Sequence, residues 1–160
     1  MRREEVNLTG LARGVGRRLR EGDSMRNVEL VVREGLMAEG DAGLLAVVVE
    51  NLLGNAWKFT NKRSEARIEL GVTSKDGQRA YFVRDNGAGF DMGHAGKLFG
   101  AFHRMHANTD FPGSGIGLAT VHRIVRKHGG RIWAESEVGR GATFFFTLGP
   151  PTAAPRALNP

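Results

Sequence analysis

The 160-residue chain contains no cysteine. Disulfides, thiolate metal sites and a cysteine nucleophile are therefore excluded. Proline is scarce, and none occurs before Pro112. Long apolar runs are missing too: the longest aliphatic stretch, residues 44–49, is far too short to span a bilayer. The charged opening Met1-Arg2-Arg3-Glu4-Glu5 is followed by no apolar stretch of signal-peptide type. Negative charge is in deficit, with 17 Asp and Glu against 23 Lys and Arg, a net charge of +6 and a pI near 10.5. Such a balance suits a polyanionic partner such as a nucleotide, a nucleic acid or an acidic membrane surface, and equally suits a solvated basic surface. The basic residues are spread without a dense tract, so charge alone decides nothing. The 41% hydrophobic and 25% charged content is ordinary for a globular chain, and the length suits one domain with its own core. The expectation is a soluble cytoplasmic domain, with no membrane insertion of this fragment, and a membrane anchor elsewhere in a full-length protein is compatible with it.

Periodicity predicts a helix over residues 8–19, with apolar residues at Leu8, Leu11, Val15 and Leu19. The alternation Val28, Leu30, Val32 reads as a strand. A helix is expected from an Asp41 N-cap to about residue 60. Two strands follow around Ile68-Leu70-Val72 and Tyr81-Val83, with Asp76-Gly77 as the hairpin turn. Between residues 86 and 117 glycine stands at 87, 89, 93, 96, 100, 113, 115 and 117, a density that marks a long, partly mobile loop. A helix then runs over 115–128 and ends at Gly129-Gly130. Two last strands, 131–136 and 142–148, are joined at Gly139-Arg140-Gly141. The expected fold is α+β, a two-layer sandwich of a mixed sheet with its helices on one face. Residues 150–160 read as a disordered tail or linker.

At about 100° per residue, Leu45, Val48, Val49, Leu52, Ala56 and Phe59 form one stripe of the 41–60 helix. Asn51, Asn55 and Lys58 form a second stripe beside it. An asparagine oxygen is a hard ligand suited to Mg²⁺, and a lysine is a point charge for phosphate; a solvated helix flank would carry the same residues. Asp85-Asn86-Gly87-Ala88-Gly89 follows a strand. There the acceptor-only carboxylate can take a hydrogen bond from an exocyclic amine, while Gly87 and Gly89 leave room for a ring; Asp-Asn-Gly is also a common turn. Gly113-Ser114-Gly115-Ile116-Gly117-Leu118 opens the last helix, and a helix N-terminus binds phosphate. Rossmann, Walker and eukaryotic-type protein kinase motifs are absent.

In order and spacing, these segments resemble the boxes of the catalytic domain of sensor histidine kinases. Residues 50–59, Glu-Asn-Leu-Leu-Gly-Asn-Ala-Trp-Lys-Phe, are similar to the N box, and Asp85-Asn86-Gly87-Ala88-Gly89 to the G1 box. Leu98-Phe99-Gly100-Ala101-Phe102 is similar to the F box, and residues 113–118 to the G2 box. The resemblance spans about residues 6–148 and implies a Bergerat-type fold binding Mg-ATP under a flexible lid over residues 90–112. It implies Asn55 as the Mg²⁺ ligand, Asn51 and Lys58 near the phosphates, and Asp85 at the adenine amine. It also places Gly87 and Gly89 beside the ring and Gly113, Gly115 and Gly117 at the phosphates, with Phe90, Ser114, Ile116 and Leu118 among the nucleotide-binding residues. Arg104 and His103, after the F box, are expected either at the γ-phosphate or as exposed lid charges. The string 102–106 is also similar to kinases linked to PAS or phytochrome sensors.

The gyrase, mismatch-repair and chaperone ATPases that share this fold carry a glutamate four residues before the metal asparagine. Here that position is Asn51, and an amide is a poor general base. The implied reaction is transfer of the γ-phosphoryl group to a histidine on a separate helical domain. Asn51, Lys58 and Arg104 are the residues expected at the chemistry. None of the five histidines, at 94, 103, 106, 122 and 128, is followed by Asp or Glu as the family's acceptor is. The partners implied are ATP, a dimerisation and phosphoacceptor domain, and a response regulator receiver domain. Nucleic acid is not expected, and the isolated domain is expected to be a monomer. Residues 1–20 are expected as a junction helix and 21–149 as the ATP-binding domain. A nucleotide-binding regulatory module, or an ATPase of the gyrase and chaperone type, is the alternative.

Overall fold

The computed structural model describes residues 1–92 and 114–149. In chain order the elements are β1 (Glu4–Asn7), α1 (Leu8–Gly22), β2 (Val28–Val32), β3 (Met37–Gly40), α2 (Ala42–Phe59), β4 (Ala66–Lys75), β5 (Gln78–Asp85), α3 (Ser114–Lys127), β6 (Ile132–Glu137) and β7 (Gly141–Phe146).

Local chemistry starts and stops these elements where the sequence suggested. The Asn7 side chain accepts from Gly10 N–H at 3.0 Å and starts α1. Asp41 accepts from Leu44 N–H at 2.9 Å and starts α2. The Leu44 and Arg2 backbone N–H groups hold the Asp41 carboxyl below its ordinary range. At the far end of α2, Thr60 Oγ1 donates to Ala56 O. Arg26 donates to Trp57 O at 2.6 Å and to Thr60 Oγ1 at 2.9 Å, placing a cation at the negative end of the helix. Asp76 and Gly77, both at positive φ, close the β4–β5 hairpin.

Five strands form a mixed sheet in the order β2-β4-β5-β7-β6, with β2 parallel to β4 and the other pairs antiparallel. The three helices among the described residues pack on one face, α2 lying between α1 and α3. Ile68 and Leu70 of β4, Tyr81 and Val83 of β5, and Phe144 and Phe146 of β7 meet the Leu45, Val48, Val49, Leu52, Ala56 and Phe59 stripe of α2 in one core. The opposite face carries a row across three strands, Phe82, Phe145 and Trp133, in register. Trp133 stacks on Phe145 at 5.2 Å, Arg84 lies 4.7 Å over Phe82, and Arg131 lies 4.5 Å over Trp133.

The sequence reading lacked β1 and β3, which pair antiparallel as a separate two-stranded sheet from Glu4↔Gly40 to Asn7↔Met37. Residues 1–20, expected as a junction, contribute β1 and most of α1. Their side chains Val6, Leu8, Ala12 and Val15 belong to the common core. The first and last described residues come together at this small sheet. Arg3 donates to Gly149 O at 2.8 Å, to His128 O at 3.3 Å and to Glu39 O at 3.3 Å.

Candidate functional site

The inward-facing positions of β5 alternate as Tyr81, Val83 and Asp85. A carboxylate thus stands in a core-facing register, only 4% exposed. It accepts from Gly87 N–H at 2.8 Å. Burial pushes its pKa up to about 6, against the lowering effect of the Gly87 and Ala142 backbone N–H groups.

The loop that follows is pressed against protein backbone on both sides. A Cβ at Gly87 would overlap Phe59 O at the end of α2, and one at Gly89, where φ is +69°, would overlap Glu137 O. These glycines were expected to leave room for a ring. In the described structure main chain occupies the place a side chain would take at either position, so close packing also demands glycine here. Ala88 N–H donates to Phe59 O at 3.0 Å, and Gly139 N–H to Ala88 O at 2.7 Å. Phe90, expected at the edge of the lid, is 4% exposed, packs on Phe144 at 6.0 Å and donates its N–H to Ser136 Oγ.

On α2, Asn55 is 6% exposed and its Nδ2 has no hydrogen-bond partner. An unpartnered buried amide is costly. Turning it by half a rotation would present its oxygen at the same place. Asn51 donates its Nδ2 to Val47 O at 2.9 Å within its own helix. Its Oδ1 lies against Gly117 of α3, where a Cβ would come within 2.7 Å. Lys58 is exposed. Leu118 is 1% exposed and belongs to the core. Ser114, Gly115 and Ile116 lie in the first turn of α3, whereas Gly113, His103, Arg104 and the F box lie outside the described residues. The structure therefore joins α2 to α3 through Asn51 and Gly117, and α2 to the Asp85 loop through Phe59.

Two side chains in this framework were not singled out from sequence as anything but surface or packing. His128 is buried, its Nδ1 2.9 Å from Ile124 O and its Nε2 accepting from Asp41 N–H at 3.0 Å. Arg63, in the turn after α2, donates to three backbone carbonyls, Asn86 O, Gly87 O and Gly139 O. A lone arginine in the polar string Asn61-Lys62-Arg63-Ser64-Glu65 carries no signal of such a role.

Residues 40–152 match the family described as histidine kinase-, DNA gyrase B- and HSP90-like ATPase, and the chain belongs to that family. Within it, the chain is a sensor histidine kinase ATPase domain. It is 46% identical over 101 residues to the methanogenesis regulatory histidine kinase FilI of Methanothrix harundinacea, covering 63% of this chain and 11% of that protein. It is 34% identical over 125 residues to the sensor protein kinase WalK of Staphylococcus epidermidis, covering 76% of this chain and 20% of that protein. The catalytic domain of histidine kinase ThkA superposes with a TM-score of 0.75 at 26% identity, covering 92% of this chain and 97% of that one. Full-length ShkA, solved in complex with AMPPNP, superposes with a TM-score of 0.73 at 28% identity, covering 92% of this chain and 31% of that one. The chain thus spans between about a tenth and a fifth of the two curated relatives named. Among the described residues no helix is long and apolar enough to cross a membrane.

Proposed function

We propose that this domain binds Mg-ATP between α2, the Asp85 loop and the start of α3, and presents the γ-phosphate to a histidine on a separate helical domain. The observation that carries the reading is Asp85, a carboxylate retained at a core-facing position despite the cost of burying it. Its acceptor oxygens suit the exocyclic amine of adenine. Asn55, with its unpartnered buried amide, fits one protein ligand to a hard cation that takes its remaining ligands from phosphate oxygens and water. Bound Mg²⁺ would neutralise phosphate charge. Lys58 and the backbone N–H groups at the α3 N-terminus add positive potential for the phosphates, and Arg104 is assigned to the γ-phosphate.

Transfer, rather than hydrolysis, is favoured by what stands beside the phosphate site. Asn51 is an amide, already committed to Val47 O. The neighbouring carboxylate, Glu50, is exposed and paired with Arg18 of α1 at 3.1 Å. Neither is placed to activate water. Phosphoryl transfer depends mainly on alignment and charge stabilisation, and the nucleophile would be the imidazole of the acceptor domain. The phosphoryl group would pass next to a response regulator receiver domain.

Calorimetry with an ATP analogue, with and without Mg²⁺, tests the first half of this reading. Binding that requires Mg²⁺ and is abolished in Asp85→Asn supports it; no binding by folded protein would overturn it. Adding ATP and a separate phosphoacceptor domain tests the second half. Acid-labile phosphate on the acceptor is expected. Steady release of inorganic phosphate without any acceptor would instead indicate an ATPase.

A further inference from the structure

We propose that Arg63 is a positioning residue for adenine recognition, a role that rests on the reading of Asp85 as the adenine acceptor. Its guanidinium leaves the turn after α2 and spans three segments. Nε donates to Asn86 O at 2.8 Å, and Nη2 donates to Gly87 O at 3.1 Å and to Gly139 O at 2.6 Å. The first two carbonyls belong to the loop that starts at Asp85, and the third to the tip of the β6–β7 hairpin. One planar fork thereby ties loop and hairpin to the end of α2, an arrangement a lysine cannot reproduce.

The loop needs such a tie because little else in it is fixed by side chains. Gly87 and Gly89 carry none, and the glycine backbone has more freedom to lose than any other. Asn86 does hold the strand side, accepting from Arg67 N–H at 2.8 Å and donating to Glu65 O at 3.0 Å. The far side of the loop is held by Ala88 N–H to Phe59 O, by Gly139 N–H to Ala88 O, and by the Arg63 fork.

The coupling to recognition runs through one residue. The Asp85 carboxylate is oriented by Gly87 N–H, and Arg63 grips the carbonyl of that same glycine. A drift of Gly87 would swing the carboxylate that must meet the amine. All three acceptors of the fork are main-chain carbonyls, so the guanidinium acts on loop geometry rather than by pairing with an acidic side chain. Hydrogen bonds to a charged group are worth enough to hold such a loop.

The test compares ATP with inosine triphosphate, which carries a carbonyl in place of the exocyclic amine, by calorimetry in Mg²⁺ on wild type, Arg63→Ala and Arg63→Lys. Wild type is expected to prefer ATP. Arg63→Ala is expected to weaken ATP by about tenfold while inosine triphosphate changes little, so that the preference collapses. Equal weakening of both nucleotides, or an unchanged preference, would overturn the inference. Arg63→Lys keeps the charge but loses the fork, and serves if the alanine variant does not fold. Its preference should fall between the other two, with faster amide exchange at Gly87 and Gly139. Wild-type preference and exchange in that variant would overturn the proposal. Absence of any ATP preference in the wild type would instead overturn the Asp85 reading, and this inference with it.

Discussion

Asp85 occupies a register in which Tyr81 and Val83 precede it on the core face, and its ionisation is opposed by the surroundings. A folded pKa of about 6 against an ordinary 3.8 means the native state holds the proton more tightly than the unfolded chain. The stability this confers is complete below about pH 3.8 and is lost as pH rises through about 6. By pH 8 the ionised buried carboxylate costs about 3 kcal/mol. Asp85→Asn retains an acceptor for Gly87 N–H and carries no charge. Urea melts at pH 4.5 and pH 8 are therefore expected to show the variant gaining on wild type as pH rises, while it loses ATP binding. A constant difference between the two pH values would show that Asp85 does not titrate in this window. The alternation of β5 conceals this residue, since a periodic reading ends the core face at Val83; only the Asp-Asn-Gly-Ala-Gly string draws attention to it. Asn55 was legible for the opposite reason, because i, i+4 and i+7 spacing placed it beside an apolar stripe. Its Nδ2 is unpartnered, so Asn55→Ala is expected to change stability by no more than about 1 kcal/mol. The same variant should lose the Mg²⁺-dependent part of ATP affinity, measured by calorimetry.

Among the elements, α2 and α3 were readable from sequence because each combines a long 3.6-residue period with a strong terminus, Asp41 for one and Gly129 for the other. The β1–β3 pair was not readable. Each strand has four residues, and β1 places one buried side chain, Val6, among Glu4, Glu5 and Asn7. Periodicity needs more repeats than that to declare itself. β3 ends at Gly40, one residue before the Asp41 cap of α2, and His128, just past α3, completes the arrangement. Its ring fills the space beside Gly40, where a Cβ would approach within 2.8 Å of Nε2. It also takes the N–H of the residue that caps α2. His128→Ala leaves a cavity and an unpaired Asp41 N–H, and is expected to cost about 2–4 kcal/mol in chemical denaturation. The two ends of α2 are thus fixed independently, by His128 at one and by Arg26 and Thr60 at the other. The helix that carries Asn51 and Asn55 has little freedom to slide.

Among the described residues no helix covers the second face of the sheet, and that face explains how the chain is expected to remain monomeric. The Phe82, Phe145 and Trp133 row would be an adhesive patch if left open. Arg84 and Arg131 lie across it, and Phe82 and Phe145 are only 7% and 8% exposed. Glu69 and Asp76 in turn pair with those arginines. Light scattering is expected to give a single species near 17.4 kDa. The double variant Arg84→Ala/Arg131→Ala should self-associate, with an apparent mass that rises with concentration. A variant that stays monomeric at every concentration tested would show that the arginines do not guard this face. Sequence alone suggested the sheet but could not assign this row to its outer side. Phe144, Phe145 and Phe146 are consecutive, and only the register with β5 and β6 separates the middle ring from its neighbours.

Arg3 holds Gly149 O, His128 O and Glu39 O within the span of a single guanidinium. The main chain at Arg3 and at Gly149 therefore lies side by side, with the end of α3 and the small sheet next to both. A body of this kind behaves as a cassette. A tether of a few residues from Gly149 back to the start of β1 should permit new termini to be opened at the exposed Asp76-Gly77 turn.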